Sequence, residues 1–128
     1  MTKKPKTAKN RWSIKKIKHI YDPVFRQNFW YVCAPSHKIF LEIIKMAGMP
    51  PSQHKEYTEG EMAVYIKNAM PVITIWTKNK KPDILAHEIC HAVSYSLRHK
   101  GLPLSDDTEE TYCYLTQFLM KEILGATR

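Results

Sequence analysis

The chain has 128 residues, 44% of them hydrophobic, which is enough for one domain with its own core and short for two. It has no run of about 18 apolar residues, so a membrane-spanning helix is excluded, and no apolar secretory leader opens it, so a soluble, cytoplasmic protein with no membrane partner is expected. The net charge of +8 is confined to one end: residues 1–20 carry eight Lys or Arg and no acid, while the remaining 108 residues carry twelve basic and twelve acidic side chains.

That distribution divides the chain into a basic N-terminal arm, residues 1–20, and a domain over 21–128. Residues 1 to about 10 hold almost nothing apolar, so they are expected to stay disordered. The arm reads as a solvated start, with weak non-specific phosphate or nucleic-acid contact as the alternative. Trp12, Ile14, Ile17 and Ile20 recur near helical spacing, consistent with a short amphipathic helix or an arm packed on the body, ending at Asp22-Pro23. Val24 to Cys33, rich in aromatic and β-branched residues, reads as a strand ended by Pro35.

Ser36 is a plausible N-cap for a helix carrying Ile39, Phe40, Ile43, Ile44 and Met46, which Gly48 and Pro50-Pro51 terminate. A polar loop over 50–60 follows. Met62, Val64 and Ile66 then alternate with their neighbours as a strand, Asn68-Ala69 is a candidate turn, and Val72 to Thr77 is the strongest strand of the chain, so a hairpin is expected. Pro82 or Asp83 opens a helix that runs to about Lys100 and stops at Gly101. Ser105, Asp106 and Asp107 offer N-caps, with Glu109 in capping-box position to Asp106, for a last helix from about Thr108 to Leu124. The fold class is α+β.

The third of these helices contains His87-Glu88-Ile89-Cys90-His91. Residues four apart lie on one helical face, so both imidazoles can reach one ion while Glu88 can reach its water. Two His that bind Zn²⁺ and a Glu that takes a proton are the parts of the HExxH arrangement. Chance gives the pattern in about one or two chains of this composition per hundred, so its placement inside a helix after the best strand matters. A third protein ligand is needed, and Glu110, in the first turn of the next helix, is the candidate, with Glu109 its rival and Cys90 or Cys113 less suited. The three cysteines, Cys33, Cys90 and Cys113, have no CxxC pair and suggest neither a disulfide framework nor a thiolate-only zinc site. Tyr114 and Tyr95 each follow a candidate ligand by four residues, so either can place a phenol near the metal to stabilise an oxyanion. His37, His54 and His99 have no such spacing and read as surface residues.

At AHEICHAVSYSLRHKG and EETYCYLTQFL the chain resembles the zincin metallopeptidases, more narrowly the gluzincin-like, small phage-associated members related to the ImmA/IrrE group. The resemblance covers mainly residues 72–124. It implies a minimal zincin-like fold, a small and mostly antiparallel sheet packed against the HExxH helix and a C-terminal helix, with zinc on His87, His91 and Glu110 and Glu88 as general base. Thermolysin-like gluzincins have an Asp four residues after the ligand Glu, where Tyr114 stands here, so the groups orienting the ligands must come from elsewhere, Asp106 or Asp107 being nearest. The expected function is hydrolysis of a peptide bond in a protein or peptide substrate, lying extended along an exposed strand, Val72 to Thr77. The implied setting is a bacterial cytoplasm, if the gene is a phage's. The alternative is a catalytically silent protein of the same fold that works by interaction, its basic arm holding nucleic acid or an acidic partner.

Overall fold

A computed structural model describes residues 12–49 and 59–125. The expectations of a disordered start and of a polar loop after Met49 fall largely outside those residues, as does His54. Within them the chain forms β1 (Lys18–Asp22), β2 (Gln27–Cys33), α1 (His37–Met46), β3 (Gly60–Lys67), β4 (Met70–Thr77), α2 (Pro82–Arg98) and α3 (Glu109–Leu124), preceded by a 3-10 turn at Ile14–Lys16. No helix among the described residues is long and apolar enough to cross a membrane.

The sheet runs β1-β2-β4-β3. Its outer pairs are antiparallel and the central pair, β2 with β4, is parallel. The expectation of a mostly antiparallel sheet is corrected to a mixed one: α1 and β3 lie between β2 and β4 in sequence, and that crossover brings the chain back in the same direction. Both faces of the sheet are covered. Ile20, Phe29, Tyr31, Ile73 and Ile75 meet Leu85, Ile89, Leu97, Leu115 and Leu119 of α2 and α3 on one side. Trp30, Val32, Val72 and Trp76 meet Phe40, Ile43 and Ile44 of α1 on the other. A central strand covered twice needs apolar groups on both faces, which is why VITIWT is a continuous run and why Val72 to Thr77 are all buried.

The local signals explain most boundaries. Ser36 accepts a hydrogen bond from the Ile39 amide at 3.2 Å and caps α1. Asn68 and Ala69 both have positive φ, 54° and 65°, the two-residue turn whose twist suits a hairpin. Beyond α2, Gly101 turns the chain at φ 79°, open to glycine at little cost. Two expectations change. Residues 18–22 are an edge strand rather than helix, because β2 offers hydrogen-bonding partners that an isolated amphipathic turn lacks. The cap of α3 is Thr108, with no side-chain hydrogen bond to the helix, in place of the Asp106–Glu109 box; its hydroxyl is engaged by the Pro103 carbonyl at 2.6 Å and the Ser105 amide at 2.9 Å.

Candidate metal centre

Helix α2 is oriented by its apolar stripe. Leu85, Ile89, Ala92, Val93 and Leu97 face the core, which turns His87 and His91 outward and leaves Glu88 at the boundary with the sheet. The two imidazoles meet: His87 Nε2 lies 3.2 Å from His91 Nε2, with ring centroids 4.8 Å apart at 78°. As they stand, one ring N–H donates to the other ring's lone pair. The separation also fits the donor chemistry of one ion, since two nitrogens at tetrahedral corners, each about 2.0–2.1 Å from zinc, are about 3.3 Å apart.

Glu88 is 7% exposed and shares a cleft of about 320 Å³ with Gly60, Glu61, Met62, His87 and His91. Burial raises its proton affinity, the histidines oppose that, and the Glu61 carboxylate adds to it. The seat of Glu88 depends on a missing side chain. A Cβ at Gly60 would stand 3.0 Å from Glu88 Cγ, 3.1 Å from its Oε2 and 3.0 Å from the Trp76 carbonyl. Next along β3, Glu61 is buried, with Oε1 2.7 Å from His37 Nε2. His37, the first residue of α1, packs against the Trp76 ring at 5.2 Å. His37, expected on the surface, is buried, and Gly60 and Glu61 belong to no motif of the sequence. Three distant segments make this contact, so no spacing announced it; the only local signal was an acid at the first inward position of a strand.

The other expected site residues are placed elsewhere. Glu110 is exposed in the first turn of α3, and among the described residues no three His, Cys, Asp or Glu side chains are gathered to hold a metal ion. Glu109 lines a separate groove between α2 and α3 together with Arg98, Cys90 and Cys113. Tyr114 is engaged on the far side, its hydroxyl donating to Asp22 Oδ1 at 3.3 Å. Tyr95 stacks on His99 with centroids 3.8 Å apart. Asp106 and Asp107 stay exposed in the loop before α3. The strand beside the cleft also changes: β4 is interior, and β3 is the edge strand whose first residues form the wall.

Fold and site together define an α+β chain with a mixed four-stranded sheet and a paired-histidine HExxH helix at its rim. No family model, curated protein or solved structure matches it.

Proposed function

We propose that the chain is a zinc-dependent metallopeptidase. The observation that carries the proposal is the His87–His91 pair at ligand–ligand separation with the buried Glu88 carboxylate opening on the same cleft. Zinc, when bound, supplies Lewis acidity and a water acidic near neutral pH. His87 and His91 hold the ion. Glu88, proton-avid through burial, takes a proton from the attacking water and returns it to the leaving amine. Gly60 lets that carboxylate lie against the strand. An extended peptide would add to the open edge of β3, because β4 is paired on both sides. Glu110 enters as third ligand from the resemblance alone.

The exposure of Glu110 favours a second reading, a catalytically silent protein of the same fold in which the pair has lost its third ligand. Elemental analysis of protein purified without added metal separates the two, comparing wild type with His87→Ala, Glu110→Ala and Glu61→Gln. One zinc per chain, lost in the first two variants, together with hydrolysis abolished by Glu88→Gln, supports the peptidase. Bound zinc with no hydrolysis that depends on Glu88 supports the silent protein. A wild type that binds no metal removes the peptidase and leaves the silent protein.

A further inference from the structure

Residues 12–26, the described part of the basic end, form a surface of the fold. Through residue 41 the sequence has ten Lys or Arg and one acid, Asp22, which is buried. The described part of that stretch places rings among the cations. Trp12 packs beside the α1 core with Lys16 Nζ 5.7 Å from its ring centre. His19 sets its edge against Trp30 at 5.0 Å, its partner in register on β2. Two residues on, and so on the same face of β1, Tyr21 is 51% exposed, beside the exposed Asn28. Arg26, exposed, turns the hairpin just beyond, and Lys15 and Lys16 stand exposed at the other end.

We infer that this face of β1 binds single-stranded nucleic acid, phosphates on Lys15, Lys16 and Arg26 and a base stacked on Tyr21. Cations alone would suit any polyanion, including an acidic polypeptide. Exposed rings set between cations match the stacking platform and electrostatic groove that single strands use. A duplex keeps its bases stacked internally and offers Tyr21 no face. The inference stands apart from the metal centre, which lies at the opposite edge of the sheet.

The test is fluorescence anisotropy on the full chain with labelled oligothymidylate about 20 nucleotides long, its duplex form and poly-glutamate as competitors, at about 50 mM salt and above. The single strand is expected to bind more tightly than either competitor. Tyr21→Ala should weaken it about 10-fold and Tyr21→Phe should not. Replacing Lys15 and Lys16 by Gln should lower the slope of log affinity against log salt by about 1. Circular dichroism checks the fold, and Tyr21→Leu, bulky but without a π face, substitutes if the alanine variant unfolds. Absence of binding, Tyr21→Ala binding like wild type, or poly-glutamate or duplex competing as well as the single strand would each overturn the inference.

Discussion

Two single residues of β3 show how burial decides chemistry. Gly60 is the contact point of β3 with Glu88, and one added methyl group meets backbone as well as the carboxylate. Gly60→Ala is expected to cost about 1–3 kcal/mol in urea unfolding and, if the proposed activity holds, to lower kcat more than it raises KM, because it displaces the base rather than the substrate. Tyr65, on the inner face of the same strand, is 7% exposed and its hydroxyl has no partner among the described residues. Burial first, and then the Glu61 carboxylate, push its pKa from 10.0 up to about 12. A raised folded-state pKa means that the folded chain holds this proton more tightly than the unfolded chain. The stability so gained is complete below pH 10 and is lost as pH rises towards 12. Because the Tyr65 hydroxyl is buried with no partner among the described residues, Tyr65→Phe should be neutral or stabilising by up to about 1 kcal/mol at pH 7. It should also flatten the fall of the melting temperature between pH 10 and 12 by the share owed to this group.

Among the elements, the β3–β4 hairpin carries strain at its turn. Its turn needs positive φ at both central residues. Asn68 adopts that conformation readily, whereas Ala69 at φ 65° pays for its Cβ. Ala69→Gly should stabilise the protein by about 1 kcal/mol, against the usual sign of such a change, and raise Tm by about 3–6 °C in a chain of this size. The hairpin also shows how a period can mislead. Met62, Val64 and Ile66 alternate as a strand with one buried face should, yet Ile66 is 62% exposed and Tyr65 is buried. Residues 66–70, the tip of the hairpin, are all exposed. His37, at a helix start, is likewise buried by distant groups, Glu61 and Trp76, both more than twenty residues away.

At the scale of the molecule, the proposed metal site would couple ion binding to folding. The His pair lies on α2, whose opposite face supplies Leu85, Ile89 and Leu97 to the larger core, so an ion held only by the folded chain raises its stability. Zinc at about 100 times its Kd should add about 2.7 kcal/mol and a matching rise in Tm by calorimetry, absent from His87→Ala. A rise equal in both variants would place the binding site elsewhere. Removing the ion with a chelator should reverse the shift without unfolding the protein, because both faces of the sheet are packed by apolar groups that owe nothing to it.

The sequence by itself determined the helices, the β3–β4 hairpin with its turn, and the pairing of His87 with His91, because each rests on contacts within a few residues: caps, periodicity and the one-turn spacing. Tertiary structure alone decided the parallel join of β2 to β4, the edge position of β3, the burial of His37 with Glu61, and the turning of Tyr114 to Asp22. Those depend on which distant segments share a face. An alternating pattern tells which side of a strand is apolar and carries no information about what will cover it.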